Sequence, residues 1–275
     1  MDNPVTRTKA VLITGGTSGF GLELARVLLN RDWMVVVTGR TLPSLQTKEH
    51  RFSFFKVDFS NLEETAKVVR QICKYHSFDV IVDNAGVLSP PDYTLTADNL
   101  EYTYQVNFLA QFLLNELIIR NAPKDHPLKI AAIISPVYKY AGTDLITRPG
   151  KIDYQPHKAY SKSKLYLALM CSYLPSKVRN PELHCFSFNP GVFRSGIYRT
   201  QSPWFRLMYK VAAPLMRSPR NNAARLADLL EENSVRNGSI YNSRKKFTSV
   251  PIVERTIYDL FWKECYSNLE KYLRN

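Results

Sequence analysis

From Lys9 onward the apolar positions fall into two patterns that take turns. Short, nearly continuous apolar runs occupy Ala10–Thr14, Trp33–Thr38, Phe52–Val57, Val80–Val82, Ile130–Ile134 and His184–Phe188. They have the length of strands and almost no polar alternation, as expected of strands covered on both faces. Between the first two, Leu22, Leu24, Ala25, Leu28 and Leu29 recur near a helical period, and Gly15-Gly16 and Gly39 close the flanking runs. Further helical patterns lie at Glu63–Tyr75, Tyr102–Arg120, Ala159–Leu174, Asn222–Glu232 and Tyr258–Leu273, with a last short strand at Gly238–Tyr241. Strand and helix in steady turn predict an α/β fold with a doubly wound parallel sheet, the Rossmann arrangement. No repeat, low-complexity tract or Gly/Ser linker interrupts the 275 residues, so a single domain is expected, its core about 9–242 and its closing helix 258–273.

Composition narrows the function classes. With 45% hydrophobic and 22% charged residues the chain can bury a full core, which excludes disorder as its main state. Cys73, Cys171, Cys185 and Cys265 are far apart with no Cys-x-x-Cys spacing, and no two of the five histidines stand three or four residues apart. Neither a zinc site nor a disulfide framework is expected, and the thiols fit a reducing compartment. The polar opening Met1–Lys9 lacks the order of a secretory signal, and no run of apolar residues is long enough to span a bilayer, so a cytoplasmic location is expected. A formal charge of +13 suits nucleic acid, anionic lipid or a phosphorylated cofactor equally. Its densest run, Arg244–Lys246, is short, and no recognition helix, zinc signature or aromatic RNA motif accompanies it, so no nucleic-acid partner is expected.

The chemistry begins at Thr14-Gly15-Gly16-Thr17-Ser18-Gly19-Phe20-Gly21, between the first strand and the first helix. Glycines there let a pyrophosphate approach backbone amides at a helix N-terminus. Alone the string is a weak signal, but Asp83-Asn84-Ala85-Gly86, Asn107, Ser135, Tyr160-Ser161-Lys162-Ser163-Lys164 and Asn189-Pro190-Gly191 follow it in order. This series resembles the short-chain dehydrogenase/reductase family over about residues 10–240, with Asp83 standing where the family pattern has an Asn. Lys151-Ile152-Asp153-Tyr154, the long interval from Ser135 to Tyr160 and Leu260-Phe261-Trp262 in the closing helix are similar to its retinol dehydrogenase branch.

Tyr160 and Lys164, four residues apart on a helix, leave one face together, and an ammonium beside a phenol favours the phenolate. The resemblance implies reversible hydride transfer between a nicotinamide and a carbonyl or alcohol carbon. Tyr160 would be the acid–base group, Lys164 its charge partner, Ser135 the hydrogen-bond donor to the substrate oxygen, and Asn107 part of a water relay. The cofactor would lie along Gly15, Thr17, Ser18, Gly19, Phe20 and Gly21, then Asp58, Asn84, Ala85, Gly86, Tyr160, Lys164, Pro190, Gly191 and Val192. The position that selects NAD with an acid holds Gly39, and the next residue is Arg40, whose planar fork suits a 2′-phosphate, so NADP(H) is expected. A surface arginine closing a strand is the plainer account of Arg40.

Residues 202–219 carry Trp204, Leu207, Met208, Val211 and Leu215 near helical spacing among Arg206, Lys210 and Arg217. By resemblance they form a lid over a lipophilic substrate of retinoid, steroid or other apolar carbonyl type; a basic apolar stripe also suits peripheral membrane contact. The alternative to an enzyme is a catalytically silent dinucleotide-binding regulatory or scaffold protein.

Overall fold

Each of the six apolar runs is a strand: β1 (Ala10–Ile13), β2 (Met34–Gly39), β3 (Phe52–Lys56), β4 (Val80–Asp83), β5 (Leu128–Ile133) and β6 (Leu183–Asn189). The short strand expected near Gly238 is β7 (Ser239–Asn242), and β8 (Phe247–Ser249) adds an edge that the pattern does not predict. The computed structural model describes residues 7–45, 49–123, 126–142, 145, 151–178, 180–191, 219–232, 234–244 and 246–274. Val192 and nearly all of the 202–219 segment lie outside them.

The strands form one sheet in the order β3-β2-β1-β4-β5-β6-β7-β8, parallel throughout except for the antiparallel pairing of β8 on β7. Successive side chains point to opposite faces. Thus Leu12, Val36, Ile81, Ile130 and Cys185 pack into one apolar layer while Val11, Ile13, Val35, Val37, Val82, Ile133 and Phe186 pack into the other. Both faces being dry is why the strand runs read as continuously apolar.

The second face is covered by α1 (Gly19–Leu29), through Phe20, Leu24, Ala25 and Leu28, together with α6 (Pro219–Glu231). Arg31 ties these helices, donating to Asp228 at 2.7 Å and to Glu231 at 2.8 Å. The first face is covered by α2 (Leu62–Tyr75), α4 (Ala110–Asn121), α5 (Pro156–Lys177) and α7 (Arg255–Leu273). Before α4, α3 (Tyr102–Tyr104) and a π-helical turn, Gln105–Leu109, run straight into it, so the single helix expected at Tyr102–Arg120 is broken in register at Asn107.

The order of strands reverses on either side of β1: β2 and β3 lie to one side, β4 to β6 to the other. The C-terminal ends of β1, β4, β5 and β6 open onto a common edge, which is where an open α/β sheet leaves a crevice for a ligand. Gly15–Gly21, Asp83–Gly86, Ser135 and Asn189–Gly191 end or follow those strands, and Asn107, Tyr160 and Lys164 lie on the helices of the first face.

Candidate active site

The glycine loop after β1 is held by its neighbours across the sheet. Buried Thr14 accepts at its hydroxyl from the amides of Asn84 (3.0 Å) and Ala85 (2.9 Å), and Asn84 Nδ2 donates to the carbonyls of Thr14 (2.9 Å) and Gly15 (3.1 Å). Gly15 and Gly19 have φ of +62° and +57°, the left-handed region that glycine enters freely. At the start of α1 the Leu22 amide donates to the Ser18 carbonyl at 3.3 Å, and the amides before it precede the first intrahelical bond. Ser18, the residue before the helix, makes no side-chain capping bond to them, and no acidic residue stands in that turn. A loop shaped by glycine that runs into a helix N-terminus without opposing charge suits an anion such as a pyrophosphate. Thr17 packs on Gly39, where a Cβ would come within 2.6 Å of it.

Arg40 follows β2 as an exposed side chain. Burial pushes the Tyr102 phenol up; the nearby Arg40 opposes that rise, and the charge of Asp58 adds to it. Arg40, Asp58 and Tyr102 therefore meet beside the loop. The carboxylate of Asp58 accepts from the amide (2.9 Å) and hydroxyl (2.8 Å) of Ser60, forming the turn into α2. Asn84 is similarly committed: its amide group clamps the loop. Pro190 and Gly191 end β6, with Gly191 at φ +74° and its amide donating to Asn189.

Across the crevice, α5 brings Tyr160 and Lys164 together. Lys164 is 4% exposed, its Nζ lies 5.8 Å from the centre of the Tyr160 ring, and it donates to the Ile133 carbonyl at 3.0 Å. A Cβ on Gly86 would sit 3.4 Å from both Lys164 Nζ and Asn107 Oδ1, so the Ala85-Gly86 turn passes directly beneath the two. Asn107, fully buried, accepts from the Val87 amide at 2.8 Å and donates to the Val87 carbonyl (2.9 Å) and to Ser163 Oγ (3.0 Å). Ser163 donates to the Tyr160 carbonyl at 2.7 Å. The π-helical turn thus pins the loop after β4 to the helix that carries Tyr160. Ser135, half-buried, follows β5 at the start of a 3-10 turn, Pro136–Tyr140, that packs on α5; its side chain makes no capping bond.

Burial lowers Lys164 to about 8, with Asp83 opposing the fall. Asp83 is fully buried, and burial raises it to about 7, opposed by a hydrogen bond from Asn115 and by the charge of Lys164. Asn115 Nδ2 donates to Asp83 Oδ2 at 2.7 Å. Asn115, the bond of Ser163 to Asn107 and the surroundings of Asp83 are absent from the sequence reading; its only hint is the carboxylate standing where the family pattern has an amide. Chemically, the arrangement sets a phenol with an ammonium at its side near a glycine loop at a helix N-terminus, groups that are able to exchange a proton and to receive an anion.

The short chain dehydrogenase family matches residues 9–205 of this chain. The chain is 27% identical to polyprenol dehydrogenase of Danio rerio over 283 residues, 96% of this chain and 87% of that protein. It is 26% identical to retinol dehydrogenase 12 of Homo sapiens over 225 residues, 78% of this chain and 71% of that protein. Among solved structures, a short chain dehydrogenase of Shigella flexneri complexed with NADP superposes with a TM-score of 0.63 at 18% identity, over 86% of this chain and 97% of that one.

Proposed function

The chain belongs to the short chain dehydrogenase family and resembles its retinol dehydrogenase branch, and from that premise we propose that it is an NADP(H)-dependent oxidoreductase acting on a lipophilic alcohol or carbonyl compound. The single observation that carries this is Lys164: a buried ammonium held by the Ile133 carbonyl, one helical turn from Tyr160 and above Gly86. Bound NADP(H) supplies the hydride. Gly15, Thr17, Ser18, Gly19, Phe20 and Gly21 would hold its pyrophosphate, Arg40 its 2′-phosphate, and Asp58, Asn84, Ala85, Gly86, Pro190, Gly191 and Val192 the rest of its length.

On the protein side, the Tyr160 hydroxyl gives a proton to the substrate oxygen in reduction and takes it in oxidation. Lys164 keeps the phenolate accessible by its charge, Ser135 donates to the same oxygen, and Asn107 orders the floor between them. The apolar substrate class is supported by the relatives named for polyprenol and retinol, together with the stripe in 202–219, for which a lid is the role we assign. The whole chain acts as one dinucleotide-binding domain. Among the described residues no helix is long and apolar enough to cross a membrane; a cytoplasmic location with peripheral membrane contact is the one we assign.

The test is NADPH consumption over a panel of apolar aldehydes and ketones that includes retinal and a polyprenal, with Tyr160→Phe beside the native protein. Native turnover, reduced by on the order of 10²–10⁴-fold in Tyr160→Phe with NADPH binding retained, is the expected result. Tight NADPH binding without turnover of any member would leave the silent dinucleotide binder instead.

A further inference from the structure

We propose that Asp83 is a positioning residue that keeps the Lys164 side chain charged beside Tyr160; this rests on the oxidoreductase reading above. The register of the sheet pairs Asp83 at the end of β4 with Ala132 of β5, and Lys164 Nζ is bound to the carbonyl of the next residue on that strand, Ile133. The two side chains therefore approach the same level of adjacent strands, one from the sheet and the other from α5, without a direct ion pair between them.

Neither is well provided for alone. Asp83 is fully buried; one of its oxygens accepts from Asn115, and Oδ1 has no hydrogen-bond partner. Asn115 Oδ1 is likewise buried without a partner, so an ionised Asp83 has no second donor at hand. Lys164 has the Ile133 carbonyl as its recorded acceptor. A buried charge in such a setting is retained only when an opposite charge compensates its lost hydration. The opposite charge that acts on each is the other's, lowering Asp83 and raising Lys164 against the effect of burial.

The titratable groups that face the pair are few. Cys171 on α5 and Cys185 on β6 sense the charge of Asp83, but burial pushes both thiols up, and they stay neutral. Tyr160 stands over Lys164 on its own helix, and Asn107 and Ser163 on the neighbouring turn carry no charge. Control of the Lys164 charge therefore lies with Asp83, and an amide at position 83 would preserve the shape and the Asn115 contact while removing that control.

Lysine-selective NMR on the full chain, with the Lys164 signal assigned by its loss in Lys164→Met, gives the titration midpoint of that ammonium directly. In Asp83→Asn the midpoint is expected to fall by about one pH unit or more, and the alkaline limb of NADPH-dependent turnover to move down with it. An unmoved midpoint overturns the proposal. Should Asp83→Asn fail to fold, Lys164→Met carries the test in reverse: carboxyl-selective NMR must show Asp83 titrating above the ordinary carboxylate range in the native protein and higher still in the variant. An ordinary or unmoved Asp83 midpoint overturns the proposal equally. A shifted midpoint in a protein that turns over no carbonyl compound upholds the charge pairing and rejects the oxidoreductase activity, so the two failures are told apart.

Discussion

Gly21 has no room for a methyl group. A Cβ there would lie 2.4 Å from Asn84 Nδ2 and 2.8 Å from the Gly15 carbonyl oxygen, the two groups whose hydrogen bond closes the phosphate loop. Gly21→Ala should open that bond and tilt the loop away from the N-terminus of α1. The expected outcome is a loss of NADPH affinity of about tenfold or more, the free energy of one charge-assisted hydrogen bond, measured by fluorescence titration. At Arg40 the expected change is of preference: Arg40→Asp should lower NADPH affinity and raise NADH affinity, together shifting their ratio by on the order of tenfold or more. An unchanged ratio would place the phosphate contact elsewhere. These residues are legible in the sequence because the loop and the Tyr160–Lys164 turn are local: neighbours along the chain are neighbours in space. The partners of Asn107 and Asp83 are not. Asn107 reaches Val87 and Ser163 across 20 and 56 positions, and Asn115 reaches Asp83 across 32, contacts that exist only after the sheet and its helices have closed.

The elements divide along the same line. Continuous apolar runs and 3.6-residue periodicity reveal β1 to β7 and the helices, since each element's own burial writes its pattern. β8 escapes because its three residues are all exposed and so leave no apolar run, although Phe247 sets its ring against Tyr241 of β7. The π-helical turn escapes because one extra residue hardly disturbs the apolar spacing of a helix buried all round, with Val106, Phe108, Leu109 and Phe112 inside. What the spacing does show at the C-terminus is the apolar face of α7, and the structure gives it a partner. Trp262 is 1% exposed, stacked on Tyr173 of α5 at 4.1 Å between ring centres and tilted against Phe112 of α4 at 5.2 Å. Trp262→Ala should cost about 3–5 kcal/mol, since the surrounding rings cannot collapse into so large a void. Thermal unfolding measures this loss. Because α7 lies on the sheet face behind α4 and α5, away from the glycine loop, NADPH affinity below the unfolding transition should change little.

Across the whole molecule, the two dry layers on the sheet leave a few ionisable groups in the interior, and these couple folding to pH. Asp83 is held at about 7 in the folded chain against an ordinary 3.8, so between those values the folded state keeps a proton that the unfolded chain has released. Stability from this group is therefore greatest at low pH and declines as pH climbs from about 4 to about 7. Lys164, lowered by burial to about 8, acts on the other side: the unfolded chain binds the proton more tightly, so stability recovers as pH rises above that value. Glu101, raised by burial, slopes in the same sense as Asp83, and His76, lowered by burial, in the opposite sense. Both remain in Asp83→Asn, so their effects cancel when the variant is compared with the native protein. The difference in melting temperature, native minus variant, should fall steadily from pH 4 to pH 7. It should go on falling to about 8, because Lys164 loses its proton earlier in the variant than in the native chain, and level off above that value, where Asp83 is ionised in both folded and unfolded native chains. Parallel melting curves across the range would mean that Asp83 carries an ordinary carboxylate and that the interior bears no such proton.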